Sequence, residues 1–139
     1  MMGEDDLPET VRALLTECIE SYEELEILLL LHGVGETGLT AVESALRLRI
    51  GSPLAAAALG SLTNRGLVST VGSDPESKYV YSPNSPILDE AVGCLAREYR
   101  NQPIRVIKLL SRNAIERLRA GALRAFADAF ILGKGSRGG

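Results

Sequence analysis

The chain has 139 residues, 45% of them hydrophobic and 24% charged, and carries a formal net charge of -3. That length holds one ordinary domain able to bury roughly 70% of its unfolded surface, which excludes disorder and collagen-like repetition. One histidine, two cysteines and no tryptophan leave most metal and nucleophile chemistries without their usual parts.

The net charge hides a division along the chain. Residues 1–50 sum to -8, residues 51–96 to -2 and residues 97–139 to +7. The total argues against a surface wholly given to nucleic acid, whereas the division implies an interaction surface or two halves that neutralise each other.

The chain starts Met1-Met2-Gly3-Glu4-Asp5-Asp6, acidic where a leader would be basic, so no export signal is expected. The longest apolar run, 27–31, falls far short of the roughly 18 residues that span a bilayer. A cytoplasmic setting without membrane contact is therefore expected, with Cys18 and Cys94 as structural thiols.

Asp6-Leu7-Pro8-Glu9 offers an acidic cap and an early proline, and Val11, Leu14, Leu15, Cys18 and Ile19 follow helical spacing. Ser21 and Glu24 make a capping box for a central apolar helix expected to stop at His32-Gly33. Thr40 and Glu43 make another, opening a short helix expected to turn Val42, Ala45 and Leu46 inward and to end near Arg49. Ser52 then caps a helix with Pro53 at its first position, and Ala55, Ala58, Leu59 and Leu62 mark its buried face as far as Arg65-Gly66.

Residues 67–71 and 79–81 read as strands joined by the turn formers 72–77. Helix resumes after Asn84-Ser85-Pro86, with Leu88, Ala91, Val92, Leu95 and Tyr99 on one side, and Gln102-Pro103 interrupts it. Residues 104–110 fit either helix or buried strand, and helix is preferred. A last helix is expected over about 114–132, followed by a tail, 133–139, that is disordered by composition.

The order helix, helix, turn, helix, hairpin is that of a winged helix-turn-helix. Within it, Thr40-x-x-Glu43-x-Ala45-x-x-Leu48-x-Ile50-x-Ser52 and Leu59-x-x-Leu62-x-x-Arg65-Gly66-Leu67-Val68 resemble the core of the MarR-type bacterial transcription regulators over about residues 37–83. The outer segments, with Phe126-Ala127-Asp128-Ala129-Phe130, also resemble short uncharacterised bacterial winged-helix proteins. The first resemblance implies a mainly α fold with a small β-hairpin wing, flanked by terminal helices that serve dimerisation, and it implies binding of duplex DNA. The chain accordingly divides into N-terminal helices (1–33), a winged core (34–83), C-terminal helices (84–132) and the tail.

With the inner face assigned, the outer face of the recognition helix is Leu54, Ala56, Ala57, Gly60, Ser61, Thr63 and Asn64. Candidate DNA contacts are Ser52, Ala56, Ala57, Ser61, Thr63, Asn64, Arg65 and, on the wing, Lys78 beside the acidic Asp74 and Glu76. Bidentate base readers are scarce on this face, so a protein-docking module on the same scaffold is the alternative reading.

Candidate phosphate contacts lie in the basic C-terminal part: Arg97, Arg100, Arg105, Lys108 and Arg112, with Arg117, Arg119 and Arg124 beyond them. Those charges also suit a solvated helix face or the acidic N-terminal part as partner. Ile115, Leu118, Ala122, Phe126 and Phe130 form an apolar stripe, flanked by Leu123 and Ile131, that suits intramolecular packing or a dimer seam. Homodimerisation is preferred, with Val11 and Leu15 as N-terminal contributors.

Enzymatic readings find little support. Carboxylate pairs such as Asp5-Asp6, Glu23-Glu24 and Asp89-Glu90 sit at helix starts, where they favour the positive end of the dipole. Gly33-Val34-Gly35-Glu36-Thr37-Gly38 has the spacing of a dinucleotide fingerprint without a preceding strand or βαβ unit, and reads as a flexible loop. No enzyme, cofactor or metal is expected.

Overall fold

The computed structural model describes residues 7–73 and 77–138, with side chains as far as Ile131. The helices are α1 (Glu9–Glu17), α2 (Tyr22–Val34), α3 (Ala41–Leu48), α4 (Ser52–Asn64), α5 (Pro86–Asn101) and α6 (Pro103–Gly138). A hairpin of β1 (Val68–Val71) and β2 (Lys78–Tyr81) separates α4 from α5. This is a winged helix-turn-helix held between terminal helices, the fold that the residue pattern implies. No described helix is long and apolar enough to cross a membrane.

Local chemistry accounts for the element starts. Ser21 Oγ accepts from Glu24 N at 3.1 Å while Glu24 Oε1 accepts from Glu20 N at 2.9 Å. Thr40 and Glu43 complete their reciprocal box, and Ser85 Oγ accepts from Leu88 N at 3.2 Å. At α4 the cap is Gly51 rather than Ser52, because Gly51 O already closes the first turn with Ala55 N at 3.1 Å, leaving Ser52 and Pro53 as its first two residues. The proposed Asp6 cap lies outside the described residues, and Pro8 occupies the N-cap of α1.

Several expectations change. Helix α2 runs through Gly33 to Val34, and Gly35, at φ 78°, is its cap. The Gly-x-Gly-x-x-Gly stretch is therefore a helix end followed by a single 3-10 turn (Gly35–Thr37), not a flexible loop. Residues 104–110 are helical, and they join the last helix without a break, because nothing after Pro103 interrupts the ladder. The same helix continues to Gly138, over most of the segment expected to be a tail.

One core unites the elements. Val11, Leu15, Ile19, Leu25, Leu28, Leu31, Leu59, Leu62, Leu67, Val92, Leu95 and Val106 are fully buried in it. The apolar spacing of α1, α4 and α5 is the spacing that faces this core. Helix α3 departs from its expected face: Ser44 and Ala45 point inward, whereas Val42 and Leu46 are 58% and 73% exposed. A helix of eight residues carries few apolar positions, and packing against α2 and α4 decided which side turned in.

The wing pairs Val68 with Tyr81 and Val71 with Lys78 in an antiparallel register, and Leu39 adds a bridge to Tyr79 through bonds of 3.0 and 2.7 Å. Two glycines make these connections possible. Gly38, at φ 66°, lets the chain pass so close to β2 that a Cβ there would lie 2.7 Å from Tyr79 O. Gly66, at φ 77°, ends α4 against Asn84, whose side chain occupies the space of a Cβ.

Candidate nucleic-acid interface

Helix α4 is fastened from beneath. Ala55, Ala58, Leu59 and Leu62 are buried, and its outer face shows Ser52, Leu54, Ala56, Ala57 and Asn64 to solvent with Gly60, Ser61 and Thr63 half-buried. The hydroxyl of Thr63 donates back to Leu59 O at 2.8 Å, so it holds the helix rather than offering that proton outward. Ser52 at the start and Asn64 at the end remain the outward polar groups, with small Ala56 and Ala57 between them.

Arg65 does not join that face. It donates from Nη1 to Cys18 O at 2.8 Å and to Glu24 Oε1 at 3.0 Å, and its Nη2 pairs with Glu20 Oε2 at 2.8 Å. Glu24 is 7% exposed, so this guanidinium neutralises a nearly buried carboxylate and is a structural group. The candidate assignment as a DNA contact is corrected accordingly: the arginine follows α4 at the point where the chain reverses toward the wing, which aims it into the α1–α2 joint.

Lys78 is exposed at the base of the wing. It lies near Glu43, whose carboxyl is held below its ordinary range first by the backbone N–H of Thr40, with Lys78 and Arg47 adding to the effect. The wing-tip acids Asp74 and Glu76 lie outside the described residues.

The basic C-terminal candidates separate by environment. Arg97 donates to Cys94 Sγ at 3.2 Å, Arg105 is half-buried with further interactions, and Arg112 is exposed but engaged. Arg100 and Lys108 are exposed. Arg117 caps the carbonyl end of α1, donating to Ile19 O at 3.2 Å and to Thr16 O and Glu20 O at 3.4 Å each, and Asn113 donates to Leu15 O at 3.3 Å. Nothing in the local sequence announces these contacts, which join residues about a hundred positions apart.

The dimerisation candidates also separate. Val11 and Leu15 are fully buried, so their side chains belong to the core and are not available to a seam. Ile115, Leu118, Phe126 and Phe130 are 50%, 74%, 72% and 63% exposed, Ala122 is exposed beside them, and the two phenylalanine rings are 6.5 Å apart. The core-facing residues of α6 are Val106, Leu110, Asn113 and Arg117. At roughly 100° of rotation per residue, the stripe from Ile115 to Phe130 points about half a turn away from that face. Intramolecular packing of the stripe is thus not what the helix achieves.

No protein-family model and no curated protein matches the chain. Among solved structures, reduced HlyU from Vibrio cholerae is similar at 20% identity and TM-score 0.49, covering 67% of this chain and 90% of that one. MepR from Staphylococcus aureus, described as a transcription regulator of the multidrug efflux pump MepA, is similar at 17% identity and TM-score 0.49, covering 85% and 89%. A mutant of MepR bound to an oligodeoxyribonucleotide is similar at 14% identity and TM-score 0.48, covering 85% and 88%.

Proposed function

We propose that this chain is a non-enzymatic, cytoplasmic transcription regulator that binds duplex DNA as a homodimer. The observation that carries the reading is the pairing of a displayed helix-turn-helix with an apolar stripe on α6 that faces away from the protein's own core. A second copy of α6 covers such a stripe with like residues, as a two-fold interface requires. The dimer then presents two α4 helices, which reach successive major grooves when their spacing matches one helical turn of roughly 34 Å.

In each half-site, Ser52 and Asn64 supply the polar contacts, while the methyl groups of Ala56 and Ala57 lie against base edges where thymine methyls favour them. Of the four exposed C-terminal candidates, Arg97 and Arg112 have other interactions, and Arg100 and Lys108 serve phosphates. Few bidentate readers on α4 means modest sequence discrimination.

Fluorescence anisotropy with mixed duplex DNA tests this. Affinity that falls steeply with added salt is expected. A dimer that fails to bind at about 50 mM salt would overturn the reading. That result would favour protein docking on the helix-turn-helix, where exposed Val42, Leu46 and Leu54 supply the apolar anchors and Ala57→Glu abolishes capture of the partner.

A further inference from the structure

The winged core contains four cations, Arg47, Arg49, Arg65 and Lys78, and helix α4 itself contains none. Binding to a duplex depends on neutralised phosphates, so these few charges decide whether the core contributes to affinity. Arg65 is committed to Glu20, Glu24 and Cys18 O. Lys78 and Arg47 both act on the Glu43 carboxylate. Arg49 is exposed, and its side chain has no ion pair or hydrogen bond among the described residues.

The backbone at Arg49 is unusual as well. With φ 57° and ψ 45° it is the one described non-glycine residue in the left-handed region. Its own N–H returns to Leu46 O at 3.3 Å and Ile50 N to Ala45 O at 3.1 Å, which closes α3 in a left-handed cap. Glycine is the residue that suits this position best, since a side chain there meets its own backbone. The chain places a long, charged and exposed side chain where the fold alone favours none.

The position bears on nucleic acid. Arg49 lies in the turn between the two helices of the helix-turn-helix, three residues before Ser52. When the second helix of this motif enters the major groove, the first crosses the sugar-phosphate backbone, which brings the turn beside a phosphate. The local charge is favourable too, because Arg47, in the last turn of α3, stands two positions before it and no acid occurs between Glu43 and the end of α4.

We infer that Arg49 is a backbone-phosphate anchor of the DNA-binding surface, an assignment that rests on the DNA-binding reading above. Its contribution is to hold the register of α4 in the groove without specifying sequence.

Arg49→Gly separates this role from a structural one because the two act in opposite directions. The substitution relieves the left-handed backbone, so thermal stability is expected to hold or rise, while affinity for a mixed duplex at low salt falls roughly tenfold and the salt slope becomes shallower by about one per protomer. Arg49→Asn, which also tolerates this backbone, is expected to behave like Arg49→Gly, and Arg49→Lys to keep most of the slope. A stable Arg49→Gly or Arg49→Asn protein that binds with wild-type affinity and slope would overturn the inference and leave the DNA-binding reading standing. A wild-type protein that binds no duplex overturns both.

Discussion

Arg65 and Glu20 meet at 2.8 Å across the joint between α1 and α2, while the backbone carbonyl of the same Glu20 accepts from Arg117 of α6 at 3.4 Å. One residue is thus held by two arginines, one from the end of α4 and one from α6. The winged core and the terminal helices are fastened together here by charge-assisted bonds as well as by apolar packing.

Replacing Arg65 tests how much that fastening matters. Arg65→Ala leaves Glu24, nearly buried, without its cation, and a loss of about 2 kcal/mol is expected in urea unfolding. Arg65→Lys recovers only part of this, since a single ammonium does not reproduce a fork spread over three acceptors. Any fall in DNA affinity should follow the fraction unfolded, and a stable Arg65→Ala protein with weakened binding would count against the structural assignment.

The apolar stripe of α6 carries a second prediction. Leu118→Glu or Phe126→Glu introduces charge on a face that the monomer leaves exposed, so circular dichroism and monomer stability should change little. Sedimentation should nevertheless shift from dimer to monomer, with DNA affinity falling at least tenfold because a half-site must then be bound alone. An unfolded variant would instead place the stripe within the core.

Two phenols set the alkaline limit. Tyr99 donates to Glu26 Oε2 at 2.6 Å and Tyr81 to Asp89 Oδ1 at 2.7 Å. Burial first, and then the bonded carboxylate, raises both phenol pKa values above their ordinary range. A raised pKa in the fold means the stabilisation is complete below the unfolded value of about 10 and is lost as pH rises above it. Phenolate absorbance should therefore show Tyr81 and Tyr99 ionising together with unfolding, and Tyr99→Phe should cost about 1 kcal/mol at neutral pH.

Ser44 supplies a prediction of opposite sign. Its hydroxyl is fully buried and without a hydrogen-bond partner among the described residues. Ser44→Ala removes that desolvated group and improves helix propensity, so the urea midpoint should rise by the equivalent of about 1 kcal/mol at unchanged slope. A lower midpoint would mean that the hydroxyl finds a partner, such as an internal water.

Local patterns carried much of this fold. The i, i+3, i+4, i+7 spacing of Ala55, Ala58, Leu59 and Leu62 identifies the inner face of α4, and reciprocal Thr40 and Glu43 mark the start of α3, because both signals act within two helical turns. The basic C-terminal part was equally plain as composition. Its use was not: Arg117 grips α1 and Arg97 turns to Cys94, just as Arg65 of the winged core faces inward. Val11 and Leu15 belong to the core, while Val42 and Leu46 do not.

The sequence by itself determined the order of elements, the Thr40–Glu43 box that opens α3 and the division of charge, since those depend on near neighbours along the chain. Tertiary structure decided which apolar face is covered, which arginines are already engaged, and that Arg49 stands exposed on a left-handed backbone. The physical reason is that burial and charge pairing are set by groups brought together from distant positions, so a residue's availability for DNA or for a second copy exists only once the rest of the fold has taken its place.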